Sequence, residues 1–182
     1  NQALALALGR PGDRVIVSRS THKSVLAGLV ISGLQPVWVR PDVDPQTGLP
    51  LALPPERVAN ALAATPDARG VFLVEPNFVG VLSDLPRIAE VSHAAGVPLV
   101  VDQAWGAHLG FHPDLPRHSI ALGADGFVTS AHKTLAAFTQ GAYLLARGER
   151  LDLARLDESF ELLHTTSVSA ALLASLDRAR QV

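Results

Sequence analysis

Short apolar runs without polar alternation recur along the chain and are separated by segments of helical length. The runs predict strands within residues 14–18, 36–40, 70–76, 97–104, 123–130 and 141–146. The longer segments predict helices at 1–8, 22–33, 56–65, 85–96, 151–164 and 169–182, and several end at Gly or begin with Pro. Continuously apolar strands separated by helices indicate an α/β fold, with a mostly parallel sheet covered by helices on both faces.

Length and composition narrow the class of protein. A chain of 182 residues fits one domain, and neither a repeat nor a linker divides it. The net charge of −2, without a Lys/Arg cluster, argues against a nucleic-acid partner, and the apolar runs are too short to span a membrane. The chain has no cysteine, which fits a cytoplasmic location. It also lacks methionine and begins inside a helix-like stretch, so we expect it to start within a longer reading frame.

In folds of this kind ligands bind outside the carboxyl ends of the strands. The run 97–101 leads into Asp102, and a carboxylate there is costly unless it is paired. Asp102 is therefore either a helix cap or part of a structural salt bridge, or it is an acid that faces a cationic group of a ligand.

A second strand end, at 126–130, leads into Ser130, His132 and Lys133. Lys133 is one of only two lysines among 15 basic residues, the other being Lys23. It is either a solvated surface residue or a partly desolvated amine between two apolar segments. Desolvation lowers the pKa of a lysine and makes it a nucleophile that forms Schiff bases with carbonyl compounds.

Two further strand ends offer candidates. After 14–18, His22 either starts the next helix or supplies an aromatic face, and after 71–75, Asn77 is either a side-chain donor or a turn former. A Schiff-base lysine, an aspartate for a pyridinium nitrogen and a stacking ring are what pyridoxal 5'-phosphate requires. The set Lys133, Asp102 and His22 therefore predicts a pyridoxal phosphate enzyme.

These residues also lie in motifs of a known family. The chain resembles the major domain of the Orn/Lys/Arg decarboxylase family, whose fold is that of aspartate-aminotransferase-like enzymes. The matching stretches are "THKSVLAGLVISG" (21–33), "PLVVDQAWGAH" (98–108), "GAD" (123–125), "SAHKTLAAFTQGAYL" (130–144) and "LLASLDRAR" (172–180).

The resemblance implies a role for each matching residue. Lys133 would carry the cofactor, Asp102 would bind its pyridine nitrogen, and His22 would stack on its ring. Ala104 would lie against the opposite ring face, and Trp105 would lie beside the pocket. Ser130 and His132 would lie near the phosphate.

The implied function is decarboxylation of ornithine, lysine or arginine through a Schiff base on Lys133 and a quinonoid intermediate, in a homodimer or higher homo-oligomer. The same residues also serve aminotransferases and aldolases, and a truncated, non-catalytic domain is a further alternative. We expect residues 1–182 to be an incomplete major domain without its phosphate loop and small C-terminal domain. "EPNFVG" (75–80) also departs from the family's more usual Ser-Pro-Thr-Tyr-Tyr-Gly-like stretch.

Two other histidine positions suggest less. His108 and His112 have a spacing that suits a metal on a helix, but Gly110 and Pro113 argue against a helix there. We expect no metal site, and we interpret His93, on a predicted helix, as structural.

Overall fold

The computed structural model describes residues 1–181, and its centre is a six-stranded sheet. The strands are β1 (Arg14–Ser18), β2 (Gln35–Val39), β3 (Val71–Val74), β4 (Leu99–Asp102), β5 (Gly126–Thr129) and β6 (Tyr143–Ala146). Their order is β2-β1-β3-β4-β5-β6, and the first five are parallel while β6 runs antiparallel to β5. The predicted α/β fold is confirmed.

Within residues 1–181 the chain forms seven α-helices. They are α1 (Gln2–Leu8), α2 (Lys23–Ser32), α3 (Pro55–Ala64), α4 (Leu85–Ala94), α5 (Ala131–Thr134), α6 (Leu153–Leu163) and α7 (Ala170–Ala179), and a 3₁₀ helix spans Ser119–Leu122. The longest has 11 residues, and no helix within 1–181 is long and apolar enough to cross a bilayer.

Alternate residues of each strand pack into separate cores on the two faces of the sheet. Leu99 and Val101 of β4 join the core that α3 and α4 cover, whereas Val100 joins the core covered by α1, α2 and α6. This two-sided burial explains why the strands read as continuous apolar runs. On the second face, α1 and α2 approach closely: a Cβ added to Gly28 would lie 2.9 Å from the Cβ of Ala5.

Several element boundaries differ from the predicted ones. The predicted strand 70–76 is only Val71–Val74, because Pro76 has no N–H for the ladder. The predicted strand 97–104 shortens to Leu99–Asp102, and its start follows Pro98, which likewise lacks an N–H. The last helix ends at Ala179, and the final position of the predicted helix 169–182 lies outside the described residues. The helix α5 at 131–134 was not predicted.

The amino edge of the sheet is held by a buried carboxylate. Asp125 is fully buried, and its Oδ2 accepts a hydrogen bond from Leu99 N at 2.8 Å and lies 2.9 Å from His93 Nε2. Its Oδ1 lies 3.6 Å from Arg150 and 3.9 Å from Arg147. His93 therefore ties α4 to the start of β4 and β5, which confirms its structural role.

Candidate active site

The carboxyl edge of the sheet brings the candidate residues of separate strands together. Val74 pairs with Asp102, and Asp102 pairs with Val128, so three neighbouring strands end at one level. The strand β1 is parallel to them and leads into His22 at the start of α2. The segments that follow β1, β3, β4 and β5 therefore all begin at this edge of the sheet.

Asp102 is buried, with 1% of its surface exposed. Its Oδ1 accepts a hydrogen bond from Ala104 N at 3.0 Å, and its Oδ2 accepts one from Asn1 Nδ2 at 2.6 Å. It caps no helix, and the ion pairs within residues 1–181 do not include it. Both donors are neutral, and each carboxylate oxygen can accept a further bond, so the negative charge is available to a cationic ligand.

His22 is the N-cap of α2 and remains exposed. Its Nδ1 accepts a hydrogen bond from Ser24 N at 3.2 Å and lies 2.8 Å from Ser24 Oγ. The interpretation of His22 as a helix start is thus correct, and an exposed ring still leaves an aromatic face for a ligand. Asn1 Nδ2 also donates to Ser24 Oγ at 2.7 Å, which connects His22 with Asp102.

Lys133 lies in α5 and is exposed. Of the two alternatives for Lys133, the structure has the solvated one: the apolar segments on either side do not bury the side chain. The amine of Lys133 lies 4.5 Å from the centre of the Trp105 ring, which is 46% exposed. A cation over an exposed indole gains about 0.5–1 kcal/mol, so Trp105 joins Lys133 to the segment that follows Asp102.

Ser130 and His132 flank the start of α5. His132 donates from its backbone N and from Nδ1 to the oxygen of Gly141, at 3.2 and 2.8 Å. Because a carbonyl only accepts, Nδ1 carries the proton, and Nε2 is the acceptor in the neutral ring. Ser130, half-buried, makes no capping bond with its side chain, so its hydroxyl is open to a ligand.

Gln103 joins the ends of β4 and β5, a contact that the sequence pattern did not indicate. Its backbone oxygen accepts from Thr129 Oγ1 at 2.9 Å, and its side-chain Oε1 accepts from Ser119 N at 2.9 Å. Fully buried, Gln103 fixes the spacing between Asp102 and the segment that carries Lys133.

The segment after β3 is organised by two buried polar residues. Asn77 is the turn former: its Oδ1 accepts from Val79 N and Val81 N, and its Nδ2 donates to Pro50 O at 2.9 Å. Glu75 was not singled out, although it ends an apolar strand as Asp102 does. Both of its carboxylate oxygens accept from Ser83 N, and desolvation by burial raises its pKa to about 7.

Several buried polar atoms at this edge lack a protein partner within residues 1–181. They are Asn1 Oδ1, Ser20 Oγ, Thr21 Oγ1, His108 Nδ1 and Thr134 Oγ1. Buried polar groups are nearly always satisfied, so a polar ligand or water belongs beside them.

A cavity of about 430 Å³ lies beside Trp105. Phe78, Trp105, His108 and Leu109 contribute to its lining, together with Pro76 and Pro116. Its position next to the ring that holds the Lys133 amine suits the side chain of a small substrate. The segment 108–114 forms turns rather than a helix, and no cluster of three metal-ligating side chains occurs within 1–181.

Comparison with known proteins places the chain in a family. The family model described as Orn/Lys/Arg decarboxylase, major domain, matches residues 1–182. The chain belongs to the Orn/Lys/Arg decarboxylase family. Within this family, an arginine decarboxylase of Halalkalibacterium halodurans is 40% identical over 94% of the chain. The match spans 35% of that relative, so the chain covers about a third of the relative's length.

Solved structures agree with the family and its fold. The constitutive lysine decarboxylase of Escherichia coli matches 98% of this chain and 27% of its own, with a TM-score of 0.79 and 25% identity. A PLP-bound putative aminotransferase of Clostridium difficile covers 98% of this chain and 48% of its own, with a TM-score of 0.75 and 14% identity. The second match shows the fold alone.

Proposed function

We propose that the protein is a pyridoxal phosphate-dependent decarboxylase of a basic amino acid, with Lys133 as the residue that carries the cofactor. The observation that supports this most directly is the edge shared by Lys133, Asp102 and His22 in a decarboxylase-family chain. The names of the relatives favour arginine as the substrate, because the arginine decarboxylase match is stronger than the lysine decarboxylase match.

Each residue has a task that its environment suits. Pyridoxal phosphate, when bound, supplies the electron-withdrawing ring that accepts the electron pair of the broken Cα–carboxylate bond. Asp102, buried and bonded only to neutral donors, would hold the proton on the ring nitrogen of the bound cofactor by a charge-assisted hydrogen bond. Lys133 provides the primary amine that attaches the cofactor, and it can return a proton to Cα. Arginine could not do so, because it does not lose its proton.

The residues around these three would bind and enclose the ligand. Ser130, with a hydroxyl that caps nothing, and His132, fixed by Gly141, are proposed phosphate contacts. Ala104 holds Asp102 through its backbone and is proposed to lie against one ring face, while His22 covers the other. Trp105 and its cavity are proposed to receive the substrate side chain.

The experiment is reduction of the cofactor-loaded full-length protein with borohydride, followed by peptide mass mapping. We expect a pyridoxyl adduct on the peptide that contains Lys133. Lys133→Arg should lose the adduct, whereas Lys23→Arg, which changes the other lysine of the chain, should keep it. No adduct in the unaltered protein, or an adduct that survives Lys133→Arg, would contradict the proposal.

A second measurement separates decarboxylation from transamination. Single amino acids are incubated with the loaded protein, and carbon dioxide and keto acids are both quantified. Carbon dioxide release from arginine in excess over lysine and ornithine is expected. Keto-acid release without carbon dioxide would show a different reaction at the same residues.

We also propose that the protein acts as a homo-oligomer. The helix α2 exposes Leu26, Val30 and Ile31, with 43%, 81% and 52% of their surfaces accessible. Exposed apolar side chains on one helix are typical of a surface that another protein covers. Sedimentation of the full-length protein should give at least twice the monomer mass; a strict monomer would contradict this.

A further inference from the structure

A hydrogen-bonded chain of four residues joins the two ring-binding candidates. Asn1 Nδ2 donates one hydrogen to Asp102 Oδ2 at 2.6 Å and the other to Ser24 Oγ at 2.7 Å. Ser24 Oγ in turn lies 2.8 Å from His22 Nδ1. The orientation of the Asn1 amide follows from its partner, because an ionised carboxylate only accepts and the nitrogen must face it.

The direction of each bond in this chain is determined. Ser24 N–H, a donor only, points to His22 Nδ1, so Nδ1 acts as an acceptor. With Nδ1 as an acceptor, the contact between Ser24 Oγ and Nδ1 is a hydrogen bond that the hydroxyl donates. The neutral ring of His22 consequently carries its proton on Nε2. To cap α2, the His22 side chain needs only the hydrogen bond from the backbone N–H of Ser24. The two hydrogen bonds of Ser24 Oγ, with Asn1 and with His22, are not needed for capping.

We propose that Asn1 and Ser24 are positioning residues that hold Asp102 and His22 in one fixed state. Asn1 orients the carboxylate of Asp102 with a neutral donor, which leaves the negative charge for a cationic ring nitrogen. Ser24 fixes the tautomer of His22. The inference rests on the proposed function, since Asp102 and His22 matter as a pair only if one ligand ring contacts both.

The two contacts of its side-chain amide support this inference for Asn1. The nitrogen donates both to Asp102, at the end of β4, and to Ser24, in α2, so one side chain connects two separate elements. The amide of Asn1 orients the carboxylate of Asp102. Within residues 1–181, no other side chain forms a hydrogen bond with Asp102, whose second donor is the backbone N–H of Ala104.

The first experiment measures the His22 tautomer by NMR of the full-length protein labelled with ¹⁵N-histidine. His22→Gln identifies the signal, and no cofactor is needed. At a pH where the ring is neutral, we expect its proton on Nε2. Ser24→Ala keeps the backbone N–H but loses the hydroxyl donor, so the Nδ1–H form should rise in part. Ser24→Thr, which keeps the hydroxyl, should restore the original tautomer. Ser169→Ala removes the serine cap of α7 and should leave the His22 signal unchanged.

The second experiment measures cofactor affinity from absorbance titrations. Asn1→Ala should weaken binding about tenfold, as expected for one lost hydrogen bond to a buried charge. An Nδ1–H tautomer in the unaltered protein, or a tautomer unaffected by Ser24→Ala, would overturn the inference. These results are independent of the adduct on Lys133, so the inference and the proposed function can each be refuted without the other.

Discussion

Replacing Asp125 tests whether the buried carboxylate holds the amino edge of the sheet. In Asp125→Ala, the N–H of Leu99 loses its acceptor inside the protein, which costs about 1–3 kcal/mol. His93, whose side chain is 20% exposed, loses a partner as well. Arg147 and Arg150 add little, because they are 41% and 31% exposed and water can solvate them.

The expected loss in the free energy of unfolding is therefore about 2–4 kcal/mol, from the unpaired N–H of Leu99 and the lost partner of His93 together. Asp125→Asn keeps an oxygen for Leu99 N and should lose only about 1–2 kcal/mol. Equilibrium urea unfolding measures both variants. Asp177→Ala removes an exposed ion pair with Arg180 and should change stability by less than about 0.5 kcal/mol. Equal losses for the alanine and asparagine variants of Asp125, or no loss, would refute the reasoning.

Three further predictions concern other buried features. The pKa of Glu75 is about 7 in the folded protein against 4.5 as its ordinary value. The contribution of Glu75 to stability is therefore fully present below pH 4.5 and falls by about 3 kcal/mol as the pH rises to 7. In urea unfolding at pH 5, 6 and 7.5, Glu75→Gln should lose less stability with rising pH than the unaltered protein does. An equal loss in both proteins would contradict the prediction. Gly28→Ala should lower the melting temperature, because overpacking against Ala5 costs about 1–3 kcal/mol and outweighs the gain in helix propensity; an unchanged or higher melting temperature would count against this packing. Asn77→Ala should speed proteolysis within residues 77–83, since it removes the bonds that shape this turn, whereas Asn60→Ala on the exposed face of α3 should not.

The sheet could be predicted because its strands are buried on both faces. Alternation of apolar and polar residues is absent from runs such as "PLVVD" (98–102), and that absence is itself the signal of a parallel, covered sheet. The direction of β6 could not be predicted, because an apolar run of six residues carries no information on whether it pairs parallel or antiparallel. The 13 residues between β5 and β6 are long enough for either direction, so the length of the connection does not decide it.

The candidate site was predictable where a polar residue ends an apolar strand. Asp102 and the segment of Lys133 follow this rule, and so does Glu75, which the sequence reasoning passed over. Asn1 and Ser24 were not predictable, because their contacts depend on how α1 and α2 pack rather than on any local pattern. The exposure of Lys133 was one of two alternatives that the apolar segments on either side left open.

The bond between Asn1 and Asp102 has a consequence for the order in which the molecule forms. It joins residues 101 positions apart, and closing such a loop costs about 2 kcal/mol more chain entropy than closing a ten-residue loop. The contacts of one local segment do not offset this loss of chain entropy. Asp102 ends β4, which lies between β3 and β5 and pairs with both strands in the folded sheet. The carboxylate is therefore set in place by the assembled sheet, and a nascent or partly unfolded chain would not present it to a ligand.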